Sequence, residues 1–323
     1  MKKRIIILGT IVLFVVLAWT GVWYFAAAQV RQQVEMLALA DGETAPQLTC
    51  GDIAISGFPF RFDIQCSDAA ILSGDILIEL PAVRVSTMIY RLNHILGSAL
   101  GPARISDAFT GLRQDISWAG IEASIRLESW RIARLSVVGD DLAWTDTLFG
   151  NNLIASASHI EAHVLDMPER HDTEVARAAL AVFARAADIA APGIDLAPTN
   201  AEIEAEITGL KDDIRDWGLA PFLPDWQQAG GVLRLVGIRA SDGASDVSAD
   251  GELKLDASGY LTGSISIDSL GLAERIGPFI EEPWRTLVLG TPAENGRHRN
   301  QLNFAGGGMS SGLVPITAIP SLF

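Results

Sequence analysis

An α+β fold dominated by antiparallel strands, carried behind one N-terminal transmembrane helix, is predicted by three observations. After Lys2, Lys3 and Arg4, no charged side chain occurs from Ile5 through Ala28. Beyond that run, apolar and polar residues alternate in short segments punctuated by turn signals. Long stripes of apolar residues at helical spacing are few, so antiparallel sheet with a few packed helices is the expected architecture.

As a helix rising ~1.5 Å per residue, residues 5–28 reach across a ~30 Å hydrocarbon core with some tilt. The basic residues at 2–4 place that end in the cytoplasm, and Trp19, Trp23 and Tyr24 fall where aromatic rings prefer the headgroup level. Ala26, Ala27 and Ala28 also satisfy the small-residue rule for signal-peptide cleavage. The length of the run and the bulky aromatics beside that site favour a retained anchor. Either way, the rest of the chain is expected outside the cytoplasm. The sections that follow from this reading are a tail at 1–4, an anchor at 5–28, a β-rich first half at 29–168, an amphipathic helix and connector at 169–198, and a β-rich second half at 199–323.

The formal net charge is −15 at pH 7. Such a surface is repelled by nucleic acid and by anionic headgroups, which excludes both as partners of a broad face. The two cysteines, Cys50 and Cys66, each lie eight residues from Phe58. With strands at 52–57 and 60–65 and a turn at Gly57-Phe58-Pro59, that symmetry sets the thiols opposite one another and predicts a disulfide, two buried free thiols being the alternative.

Past the membrane, Gln29 to Ala40 continues the helix with Val30, Val34 and Leu37 on one face, and Asp41-Gly42 ends it. Asp75 to Leu80 places Ile76, Ile78 and Leu80 on one strand face; 121–127 and 131–137 repeat the pattern. From Asp172 to Ala190, the residues Val175, Ala179, Val182, Phe183, Ala186 and Ile189 form a stripe that predicts an amphipathic helix stopped by Ala191-Pro192-Gly193. Strands follow at 201–208, 231–239, 247–255 and 260–267, with Leu253, Leu255, Ile265 and Ile267 on single faces. Short helices are expected at Asp212–Leu219 and Leu270–Leu289.

Catalytic motifs are weak. Gly308-Met309-Ser310-Ser311-Gly312 has the G-x-S-x-G form, yet no Asp, Glu or His follows Ser310 and Pro315 interrupts any helix, so a turn between terminal strands is expected. His159-Ile160-Glu161-Ala162-His163 spaces two histidines as metal ligands on a helix. The local alternation makes it a strand instead, with Ile160, Ala162 and Val164 inward and the histidines outward. His94, His171 and His298 stand alone in sequence, and Asp242, Asp246 and Asp250 fit no calcium loop. No phosphate loop, dinucleotide fingerprint or zinc spacing occurs. The reading is therefore a protein without catalytic residues, cofactor or metal.

Ser56-Gly57-Phe58-Pro59-Phe60-Arg61-Phe62, flanked by Cys50 and Cys66 and followed by Tyr90, Asn93 and His94, resembles the family called domain of unknown function 2125, anchored envelope proteins of Gram-negative bacteria. Leu92 stands where that family often has proline. The strings Ala249 to Leu255, Gly259 to Gly263, Gly312 to Ile316 and Ile319-Pro320 are similar to the terminal repeats of AsmA-like proteins. These resemblances imply an inner-membrane, single-pass protein whose bulk is periplasmic, with antiparallel sheet curved into a groove or half-barrel that is offered to lipid acyl chains. The expected groove residues are Ile76, Ile78, Leu80, Leu253, Leu255, Ile265 and Ile267. The expected function is non-enzymatic lipid binding, lipid transfer or envelope assembly. The alternative is a structural module that binds other envelope proteins, and an exported hydrolase comes third.

Overall fold

The computed structural model describes every residue except Met1, Thr44, Asp195, 218–220, 277–279 and Glu294. It divides into two compact units, one of residues 1–124 and 143–153 and the other of 125–142 and 154–323.

The first unit opens with helix α1, Lys2–Leu37, long and apolar enough to cross a membrane. It runs past the uncharged segment as expected and ends three residues short of Ala40. Strands β1 (Gln47–Thr49), β2 (Asp52–Ser56), β3 (Arg61–Ser73), β4 (Ile76–Met88), β5 (Arg91–Leu100), β6 (Ala103–Asp107) and β7 (Arg113–Ser117) follow. Then come β8 (Gly120–Glu128), β9 (Arg131–Asp146) and β10 (Asn152–Asp166), within which the limits between the units fall. All pairings are antiparallel: β3 carries β1 and β2 on one edge and β4 on the other, and β4 then pairs with β5 and β6 along successive parts of its length. β6 continues to β7, and β7 to the end of β9.

Cys50 and Cys66 form a disulfide with Cα atoms 5.3 Å apart. Its position was legible, but not its register. Cys66 pairs with Ile53, not with Cys50, so the hairpin is not centred on Phe58. Cys50 occupies the bend between β1 and β2, where the Gly51 amide donates to both Ser67 and Asp68 carbonyls and Asp68 takes a positive φ of 49°. That local irregularity in the ladder brings the sulfur atoms together despite the offset.

The second unit is an antiparallel meander. After β10 come β11 (Arg177–Ala191), β12 (Leu196–Lys211), β13 (Val232–Ser241), β14 (Asp246–Leu255), β15 (Leu261–Leu270), β16 (His298–Ala305), β17 (Gly308–Ser311) and β18 (Val314–Ala318), each paired with its successor. The amphipathic helix expected at 172–190 is absent: Arg177–Ala191 is a strand hydrogen-bonded on both edges. Alanine is a strong helix former, and seven alanines from 178 to 190 at mixed spacings fit either period. Two long neighbouring strands decide the matter, because burial across a sheet outweighs propensity.

Helical structure in this unit is limited to α2 (Phe222–Gln228), α3 (Leu272–Ile276), α4 (Trp284–Leu289) and single turns such as Ile214–Asp216 among the described residues. Asp212–Leu219 thus holds one turn, with Leu219 outside the described residues, and Leu270–Leu289 holds two short helices. The Trp226 indole of α2 donates to the Thr208 carbonyl at 2.7 Å and joins Leu180, Leu210 and Leu255 in one core cluster. Gly231 is required beneath it, since a Cβ there would lie 2.1 Å from the indole nitrogen. A second cluster gathers Leu253, Leu302 and Phe304.

Candidate functional site

Register shows what each sheet presents on its two sides. In the first unit, Ile71, Ile78 and Ile105 stand abreast on β3, β4 and β6. Ala103, Ile116 and Trp144 continue the same side on β6, β7 and β9. Ile76 and Leu80 share this side with Ile78, and Leu96 and Leu100 reach it through their partners Ser86 and Ala82. Four large apolar residues on it are well exposed: Ile76 at 45 %, Leu96 at 48 %, Leu100 at 50 % and Trp144 at 41 %. α1 docks on the opposite side through Phe62, which is out of phase with Met88 and Ile78. The Ile78 face is therefore apolar from Ile76 to Ala82 and across to Ile105, Ile116 and Trp144, and polar beyond, where Ser86 bonds Asp63 and Arg84 bonds Gln65; no helix of this unit is laid over it, among the described residues.

The second unit separates its two faces more sharply. One face bears Leu180, Ile207, Leu233, Leu253 and Phe304 abreast, and beside them Ala162, Ala184, Ile203, Ile238, Ala249 and Ile267. Leu253 and Leu255, each 8 % exposed, are closed into the core by α2 and the terminal strands. Ile265 and Ile267 pack against the same cluster. The four groove residues expected in this half thus share one face but line a covered interior, not an open groove. Ile203, in the adjacent row, stays exposed. The two sets of expected groove residues belong to different units.

The other face of the second unit carries a ladder of charge that sequence reading did not find. Glu161, Arg185, Glu202, Arg239, Ser248, Asp268 and Arg299 face one another across seven successive strands. The Arg239 guanidinium meets Glu202 at 2.7 Å, and Arg297 and Arg299 both close on Asp268. Hydrogen bonds from Arg299 and then Arg297 hold the Asp268 carboxyl below its ordinary range, and Asp246 and Asp268 together raise Arg297. The Glu-x-Glu-x-Glu run at 202–206 was visible, but its counterions lie tens of residues away and need the register. A shallow depression of about 550 Å³ on this face is bounded by Ser248, Asp250, Asp268, Arg299 and Asn303.

Three of the histidines are absorbed locally. His159 Nδ1 bonds Asp140 at 2.7 Å; His163 bonds Ser136 at 3.0 Å and stacks on Phe183, half-buried instead of facing solvent. His171 is not isolated, for its Nε2 lies 2.6 Å from Asp166, whose other oxygen accepts from Arg131 at 3.0 Å. Arg131 also reaches Asp212 at 3.3 Å. This nearly closed network fastens the turn at 168–172 to β9 and the end of β12. Asp242 caps its own turn and pairs with Arg275, while Asp246 pairs with Arg297. Ser310 lies in β17 opposite Pro315, in a strand–turn–strand and not a nucleophile elbow. Among the described residues, no group of three or more His, Cys, Asp or Glu is placed to hold a metal.

The segment Ser56–Phe62 forms the β2–β3 turn, and Gly57 has φ +101° with the Arg61 carbonyl 2.6 Å from where a Cβ would be, so only glycine fits. That turn grips α1. The Trp19 indole donates to the Pro59 carbonyl at 3.0 Å and the Trp23 indole to Arg61 at 3.2 Å, while Trp23 stacks on Phe62 with centroids 5.5 Å apart. A family model described as an uncharacterized protein conserved in bacteria, DUF2125, matches residues 23–320. The chain belongs to this family. The match begins at Trp23, the residue through which α1 meets the DUF2125 sheet, and covers both units. No curated protein and no solved structure matches the chain.

Proposed function

We propose that this DUF2125 chain is a single-pass protein of the inner membrane, with residues 1–4 cytoplasmic and its sheets periplasmic, that binds or passes lipid acyl chains in the service of envelope assembly. The observation that carries this reading is the Ile78 face, where, among the described residues, four large apolar side chains remain exposed on one side of a sheet with no helix of the first unit laid over them. Apolar surface such as that around Ile76, Ile78 and Leu100 marks a ligand or partner site, because leaving it in water is costly. Each methylene an acyl chain buries there contributes ~0.8 kcal/mol. The basic N-terminus favours the stated orientation, and the Cys50–Cys66 disulfide suits an oxidising compartment. The resemblance of the C-terminal strands to AsmA-like repeats points the same way.

The test is photo-crosslinking in intact cells from probes at Ile76, Leu96 and Leu100. Lipid adducts at these positions support the proposal. Adducts to protein alone would establish the alternative, an interaction module of the envelope.

A further inference from the structure

The two hairpin tips beside α1 form a surface distinct from the Ile78 face. The β2–β3 tip carries Phe58 and Phe60, and the β4–β5 tip carries Tyr90 and Leu92. They are bound into one body, since the Ile89 amide donates to the Phe60 carbonyl at 3.0 Å and Arg61 pairs with Met88. Phe60, Tyr90 and Leu92 are 61 %, 70 % and 60 % exposed, a degree unusual for large apolar side chains clustered together. Phe58 is held edge-on to Trp23 and stacked with Tyr24.

Their height along α1 is what gives them meaning. Trp19, bonded to Pro59, precedes the last residue of the uncharged run by nine positions, which is ~13 Å of helix at ~1.5 Å per residue. The tips therefore hang alongside the final turns of the run, not beyond it. A helix that places residues 5–28 across a ~30 Å core puts Trp19, Trp23 and Tyr24 at the boundary of headgroups and acyl chains. Whatever is hydrogen-bonded to those tryptophans lies at the same boundary. The negative net charge does not oppose this contact, because exposed charges more than ~8 Å away are screened at physiological salt, and the ionisable groups at the tips themselves are Tyr90, Arg91 and Arg61, the last neutralising the one carboxylate beside them, Asp63, at 2.6 Å.

We propose that the Phe58–Phe60 and Tyr90–Leu92 tips are a second membrane contact, inserted into the leaflet that receives the C-terminal end of α1. The proposal rests on the membrane-spanning reading of α1. A second point of insertion fixes the tilt of the first unit against the bilayer, which a single helix cannot do alone.

The test uses the full chain with its disulfide intact, so that only an introduced thiol is labelled. Phe60→Cys, Leu92→Cys, Phe14→Cys and Phe109→Cys proteins carry an environment-sensitive fluorophore and are reconstituted in phosphatidylethanolamine–phosphatidylglycerol vesicles containing nitroxide lipids quenching at different depths. Phe14 reports the helix. Phe109 is an exposed aromatic at a turn beside Asp75, at the opposite end of β4 from Met88, ~40 Å away along a strand at ~3.3 Å per residue. The expected result is quenching at 60 and 92 by shallow nitroxides, at 14 by deep ones, and none at 109. Labels at 60 and 92 that stay unquenched while 14 is quenched would overturn the proposal and leave the anchor standing. An unquenched label at 14 would overturn both.

Discussion

Arg177, the first residue of β11, holds Asp225 of α2 through two hydrogen bonds of 2.7 and 3.3 Å. The pair closes the end of the cluster in which Trp226 covers Leu180, Leu210 and Leu255. Both partners are largely withdrawn from water, so the bond is worth more than a surface ion pair. Arg177→Ala is expected to lower the stability of the second unit by about 1–3 kcal/mol, the cost of leaving a half-buried carboxylate with Lys211, 3.8 Å away, as its remaining cation. Denaturant unfolding followed by tryptophan fluorescence measures it, and an unchanged midpoint would show the pair to be idle.

Acid sensitivity follows from the same carboxylate. The hydrogen bonds of Arg177 hold Asp225 below its ordinary range, as those of Arg299 and Arg297 hold Asp268. A carboxyl lowered on folding contributes stability that is fully present above its unfolded pKa of ~3.9 and is lost as pH falls through the native value. Thermal stability is therefore expected to be level with respect to these groups from neutrality to about pH 5 and to fall below about pH 4. In Asp225→Asn that acid slope is expected to be shallower and the neutral-pH stability lower.

The disulfide closes a loop whose ends are 16 residues apart in sequence. In the chain-entropy model such a closure stabilises by ~3 kcal/mol. Non-reducing peptide mapping is expected to find Cys50 linked to Cys66. Reduction, or Cys50→Ser with Cys66→Ser, is expected to lower the unfolding midpoint of the first unit and leave that of the second in place.

The two kinds of apolar position are separable by mutation. Leu253→Ala and Leu255→Ala remove side chains from closed clusters and are expected to cost about 2–5 kcal/mol each. Ile76→Ser, on the exposed Ile78 face, is expected to cost less than about 1 kcal/mol. Equal losses at 76 and 253 would mean that the Ile78 face is covered in the folded protein.

Those contrasts also show where the sequence was readable. Alternation marked β4 and β15, because the two-residue period of a strand is local and needs no partner. The helix crossing residues 5–28 was legible for the same reason. Covering was not legible: Leu253 and Ile78 carry the same local pattern, and only the later placement of α2 and β16 buries one of them. The alanine-rich β11 satisfied both periods and was decided by its neighbours. The disulfide was found through a symmetry that the ladder does not keep, since the bend at Gly51 and Asp68, and not the turn at Phe58, brings the sulfur atoms together.

The order of strands in the second unit has a consequence for how the chain reaches its form. From β10 to β18 every strand pairs with the one that follows it in sequence. A chain emerging N-terminus first never has to wait for a distant partner: each new strand finds its template already laid down, and the loops to be closed are short apart from those at 212–231 and 271–297. The growing edge is the one hydrogen-bonding surface left open at any moment, and the next few tens of residues seal it. Vectorial emergence and sheet growth thus run in the same direction, so that assembly can keep pace with delivery instead of awaiting release of the whole chain.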